Sequence, residues 1–151
     1  MKKYELTQEY IMFQDTKLYR IKALKSFNDV QVGDLGGFIE KEYNLSQNGN
    51  AWVYENARVY ENARVSGNVR VSGSALIKKD LDYATIKGFG SKCRSTTFFM
   101  TKEKDIEVVC GCFHGTLDEF RKKVKETHGE TKFAKEYLMI ADLMEYHFKE
   151  E

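Results

Sequence analysis

The chain has 151 residues, enough for one domain or two small ones with a real core and too few for a large multidomain enzyme. With 24 basic against 23 acidic side chains, a net charge of +1 and 42% hydrophobic residues, it has the balance of a folded soluble protein, which excludes both a strongly basic nucleic-acid binder and an acidic disordered tail. Proline is absent, so proline-rich linkers and collagen-like segments are excluded too.

Met1-Lys2-Lys3 is basic, but polar Tyr4-Glu5-Leu6-Thr7-Gln8-Glu9 follows where an export signal needs an apolar run. No stretch reaches the roughly 20 apolar residues that span a bilayer. A cytoplasmic protein without a membrane partner is expected, and its three cysteines, Cys93, Cys110 and Cys112, should be reduced.

In chain order, Glu9 to Phe13 and Leu18 to Ala23 read as two strands of a hairpin turning at Gln14-Asp15-Thr16-Lys17. Glycines in Val32-Gly33-Asp34-Leu35-Gly36-Gly37-Phe38-Ile39 lack the Lys-Ser/Thr and the helix of a phosphate loop, so the segment reads as tight turns. Asn50 to Gly73 then divides into four six-residue units, NAWVYE, NARVYE, NARVSG and NVRVSG, with SALIKK continuing to Lys79. Small residues (Ala51, Ala57, Ala63, Val69, Ala75) alternate with aliphatic ones two positions on (Val53, Val59, Val65, Val71, Ile77), which puts both on one face of a very short strand. A helix is excluded, because six residues turn it through about 600° and scatter these positions.

The period predicts a left-handed, hexapeptide-type β-solenoid in which residues eighteen apart stack, Val53 over Val71 and Val59 over Ile77. Arg58, Arg64 and Arg70 would occupy solvated outer positions on three faces, giving no track for nucleic acid. So few units cannot stand alone. Trp52 should pack beneath the N-terminal hairpin, and Ala84 to Gly88 reads as one further unit in a changed register.

Beyond the repeat, Ser95 to Met100 and Ile106 to Phe113 read as strands. Thr116-Leu117-Asp118-Glu119 is a capping box opening a helix that Gly129 stops, and a second helix begins near Lys132. The expected fold is therefore mainly β with an α tail: an N-terminal β cap over residues 1–45, a short β-solenoid over 46–91 and a ββαα module over 92–151.

Candidate chemistry is sparse. Cys93, Cys110, Cys112 and His114 supply the donors of a zinc site, but a single residue between Cys110 and Cys112 is short for paired metal thiolates. Cys110 and Cys112 fit better as core residues on a strand face. No metal and no cofactor is expected. Hexapeptide acyltransferases use a histidine of their solenoid, whereas His114, His128 and His147 all lie outside the repeat; His128, just before Gly129, suits the negative end of a helix. Lys87, Lys92 and Arg94, around a glycine-rich segment, could hold a nucleotide or small anion.

The motifs Leu18-Tyr19-Arg20-Ile21-Lys22-Ala23-Leu24, Gly33 to Glu40 with Asn44-Leu45-Ser46, and the Asn-Ala-x-Val units resemble those of small bacteriophage and prophage accessory proteins. The ending, Cys110-Gly111-Cys112-Phe113-His114-Gly115-Thr116-Leu117-Asp118-Glu119-Phe120, is similar to a tail module of such proteins. That resemblance implies a non-catalytic product acting in a bacterial cytoplasm on a host protein or complex, for instance as an anti-CRISPR-like inhibitor of a defence system. The alternatives are a nucleotide or anion sponge and, third, a hexapeptide-type acyltransferase. A homodimer or homotrimer is expected, with Tyr137, Met144, Tyr146 and Phe148 of the second helix in its interface.

Overall fold

The computed structural model describes residues 1–91 and 95–149. Strands β1 (Tyr4–Phe13) and β2 (Thr16–Ala23) form an antiparallel hairpin. Its two turn residues, Gln14 and Asp15, both take positive φ, the turn whose twist matches the flanking strands. Where tight turns were expected, β3 (Leu35–Ile39) instead lies antiparallel to β2. The glycines explain it: a Cβ on Gly36 would stand 2.6 Å from the carbonyl oxygen of Val53, and one on Gly37 2.5 Å from that of Ala57. Only a strand without side chains there can run so close to the repeat.

The repeat contributes four two-residue strands, β4 (Trp52–Val53), β5 (Arg58–Val59), β6 (Arg70–Val71) and β7 (Leu76–Ile77). Parallel partners lie eighteen residues apart, Val53 beside Val71 and Val59 beside Ile77. The alternating Ala51, Ala57, Ala63, Ala75, Val53, Val59, Val65, Val71 and Ile77 are all at most 1% exposed, so this face is the core.

The expected architecture is nevertheless corrected. No separate solenoid sits under a hairpin lid: β1-β2-β3-β5-β7 is one continuous five-stranded sheet of mixed direction, and β4 and β6 form a two-stranded parallel pair. Units this short leave unpaired backbone groups, and β3 satisfies them, with Phe38 N donating to Ala57 O (2.9 Å) and Glu40 N to Val59 O (3.2 Å). The sixth residue of each of the first four units turns the chain with positive φ, 68° at Gly67 and 61° at Gly73, but also 54° at both Glu55 and Glu61.

The arginines are likewise not simply solvated. Arg58 stacks over Phe13, Arg64 over Tyr43, and Arg70 Nη2 donates to Gly111 O at 2.8 Å. Trp52, 1% exposed, meets Tyr4 and Phe27 edge to face. Beside it, fully buried Lys3 donates from Nζ to Ala51 O at 2.7 Å, satisfying a carbonyl at the start of the repeat.

The tail also differs from a ββαα unit. β8 (Tyr83–Ile86) leaves the repeat and pairs antiparallel with β9 (Thr96–Met100), followed by β10 (Ile106–Cys110) and β11 (Phe113–Thr116), in the order β11-β10-β9-β8. Neighbouring Phe98 and Phe99 are both fully buried, on opposite faces. Phe98 joins the core under the helices and Phe99 the core of the repeat.

Helix α1 (Leu117–His128) opens on the expected capping box, Glu119 N donating to Thr116 Oγ1 (3.2 Å) and Thr116 N to Glu119 Oε1 (2.8 Å), and ends at Gly129. Helix α2 (Lys132–His147) is capped by Thr131. Leu117, Phe120, Val124, Ala134, Tyr137, Ala141 and Met144 cover Phe98 and Val108. The whole is a mixed α/β fold, and among the described residues no helix is long and apolar enough to cross a membrane.

Two predictions follow from strain and burial. Non-glycine residues at positive φ are strained, so Glu61→Gly should raise the unfolding free energy by about 1 kcal/mol; the Lys78 contact it loses, 3.8 Å and exposed, adds little. Urea unfolding measures this, and a less stable variant would refute the account. Burial, with the charge of Lys25 adding to it, lowers the pKa of Lys3 from 10.5 to about 8. The unfolded chain then holds this proton more tightly, so the penalty is complete below pH 8 and is relieved as pH rises toward 10.5. Buried Tyr4 and Tyr54, whose hydroxyls are held protonated above the ordinary range, oppose this only above about pH 10. The urea midpoint should therefore rise from about pH 8 to about pH 10 in the native chain and stay flatter in Lys3→Met.

Candidate functional site

Chemistry-bearing side chains gather at the β10–β11 turn. Cys110 pairs with Phe113, leaving Gly111, at φ 59°, and Cys112 as the two turn residues. Cys112 is therefore exposed and Cys110 half-buried, with Thr96 Oγ1 donating to its Sγ at 3.1 Å. The expectation that both thiols are core residues on one strand face is corrected for Cys112, because the strand stops one residue earlier. Reading Ile106 to Phe113 as one strand also hid β11.

Alternation across the paired strands then separates the nominal zinc donors. Cys110 and Phe113 pack on the helix side, whereas Val109 and His114, the neighbouring cross-strand pair, face the repeat. His114 Nε2 lies 2.9 Å from Glu107 Oε1. Cys93 lies outside the described residues, and among those described no three ligating side chains cluster around one point.

Two clefts meet at this turn. A helix-side cleft of about 270 Å³ is lined by Gly90, Cys110, Cys112, Phe113, Phe120, Lys123, Val124, Thr127, His128 and Tyr137, among others. A junction cleft of about 330 Å³ lies between the repeat and the tail sheet, where Tyr54, Arg70, Ser72 and His114 converge with Asp29. Tyr54 OH donates to Asp29 Oδ1 at 2.7 Å. Burial first, and then Asp29, hold this hydroxyl protonated. Arg70 is anchored to the turn through Gly111 O.

Of the residues expected to hold an anion, Lys87 is exposed just after β8, and Lys92 and Arg94 lie outside the described residues. Tyr137 and Met144, expected at an interface, are each 6% exposed and pack inward, and Phe148 caps α2 against the same core. Tyr146 does point outward. It shares its face with Met139 and Leu143, which the sequence reading missed although spacings of four and three residues from 139 to 146 place them on one stripe.

No protein-family model matches the chain. Over 63 residues it is 38% identical to the uncharacterized acetyltransferase YdcK of Escherichia coli K12, an alignment that covers 36% of this chain and 19% of that protein. The similarity is local, and the chain spans about a fifth of that relative's length.

The turn geometry fixes how the two thiols behave. Cys112→Ala should change the unfolding free energy by less than about 0.5 kcal/mol, and Cys110→Ala should cost about 1 kcal/mol through its packing and the Thr96 hydrogen bond. Brief iodoacetamide treatment followed by peptide mass spectrometry should show Cys112 modified before Cys110. The reverse order would contradict the turn.

Proposed function

We propose that the chain is a non-catalytic binding protein of phage or prophage origin that acts on a host protein or complex, with inhibition of a bacterial defence system as its role. The observation carrying the binding reading is on α2. Met139, Leu143 and Tyr146, 71%, 58% and 78% exposed, lie on the side opposite Ala134, Tyr137, Ala141 and Met144. Folding this helix needs one apolar face; a second, made of methionine, leucine and tyrosine, has the composition of an interface centre. The phage origin and the defence target rest on the sequence resemblance, and self-association through the same stripe is part of the proposal.

A pull-down from a bacterial host lysate, with light scattering of the purified chain, tests it. The native chain should retain a discrete host complex, and Met139→Glu with Leu143→Glu should lose it while melting at the native temperature, since both positions are solvent-facing. Unchanged capture by this double variant rejects the helix as the binding surface.

Acyl transfer is the second reading, favoured by the local similarity to an acetyltransferase and by the junction cleft. There His114, oriented by Glu107, is placed to take a proton. Turnover of acetyl-coenzyme A that His114→Asn abolishes would put this reading first.

A further inference from the structure

The helix-side cleft is separate from α2's outer stripe and shares only Cys112 and Phe113 with the junction cleft, and we infer that it binds a small carboxylic acid with an aromatic or short aliphatic body. Phe113, Phe120, Val124 and Tyr137 supply its walls. These side chains belong to the tail core, where Phe120 meets Tyr137 edge to face at 5.6 Å, so the apolar surface is preformed. At about 270 Å³ the cleft falls just under the roughly 300–1,000 Å³ of sites for drug-sized molecules, and its occupant has on the order of ten non-hydrogen atoms.

The charge of the occupant follows from the rim. Among its described lining residues the cleft carries the cation Lys123 and the imidazole of His128, and no aspartate or glutamate. The His128 ring is held in place, stacked on Tyr137 at 6.1 Å and tilted against Phe133 at 5.8 Å. At the carboxyl end of α1, whose free carbonyls disfavour an anion, two carbonyls are met by donors, Gly129 N to Lys125 O (3.0 Å) and Thr131 N to His128 O (3.1 Å). An apolar body against the walls with one carboxylate on Lys123 satisfies both halves of the cleft. Because Cys110 and Cys112 also line it, occupancy should shield a thiol.

Phenylacetate and its neutral isostere phenylacetamide are the probes, titrated into the full chain with saturation-transfer NMR and with iodoacetamide labelling of Cys110 followed by mass spectrometry. Phenylacetate should saturate with a Kd of about 1 mM or tighter, as its size allows, and slow the labelling of Cys110. Phenylacetamide should bind about tenfold more weakly, reflecting one lost charge-assisted hydrogen bond. Lys123→Gln should bring the acid to the level of the amide, and Thr127→Trp, at an exposed rim position, should abolish binding of both without changing the melt. Absence of saturable binding, equal affinity of acid and amide, or affinities indifferent to both variants would each overturn the assignment.

Discussion

Successive side chains of a strand point to opposite faces, so a strand whose neighbours Phe98 and Phe99 are both fully buried has to lie between two cores. β9 is that strand, and Val108 and Val109 in β10 repeat the arrangement. Each phenylalanine removed from water contributes about 2 kcal/mol or more of transfer free energy, and the two do so in different cores. The tail sheet is thus a shared wall, with helices on one side and the repeat on the other. The last part of the repeat meets it directly, Ala75 bridging Thr101 and Lys102 N donating to Ser74 O at 2.8 Å. A repeat too short to bury its own end is closed by a sheet that would otherwise have an exposed face.

The opposite end is closed both by apolar cover, with Trp52 packed against Tyr4 and Phe27, and by polar groups. There the backbone of β3, admitted by Gly36 and Gly37, pairs with the repeat, and two fully buried polar side chains serve carbonyls that meet no strand. Lys3 donates to Ala51 O, and Asn44 Nδ2 donates to Ala63 O at 2.8 Å and to Glu61 O at 3.1 Å. A buried ammonium is costly, and the lowered pKa of Lys3 expresses that cost. It persists because replacing it with an apolar group would leave the Ala51 carbonyl without this donor.

Local signals were legible in the sequence and long-range partnerships were not. The Thr116 and Glu119 capping box and the Gly129 stop depend on residues within one turn of each other, and they stand where the spacing put them. The inward face of the repeat was equally readable, because alternation is a property of each unit. Sheet membership was not: whether β5 extends the hairpin sheet or belongs to a separate body depends on a chain segment some twenty residues away, and Gly36-Gly37 reads as a turn until the carbonyls of Val53 and Ala57 are seen beside it. The same limit governed the site. Cys112 read as a strand residue because nothing before the turn distinguishes Gly111 from a strand glycine, and its φ of 59° ends the strand. Tyr137 and Met144 read as surplus apolar surface because the four-stranded sheet they cover had been counted as two strands.

That miscount bears on function. A larger sheet absorbs the inner face of α2 completely, so the residues left over are those on its far side, Met139, Leu143 and Tyr146. Arg121 bridges α1 to α2 through Asp142 at 2.9 Å and Glu145 at 3.0 Å, exposed contacts that add only a little against the helix rolling to bury that stripe. Rolling would in any case lift Tyr137 and Met144 out of the core they complete, exchanging one exposed apolar face for another. Among the described residues, moving α2 as it stands therefore exposes as much apolar surface as it hides, and the packing of the tail core keeps Met139, Leu143 and Tyr146 at the surface.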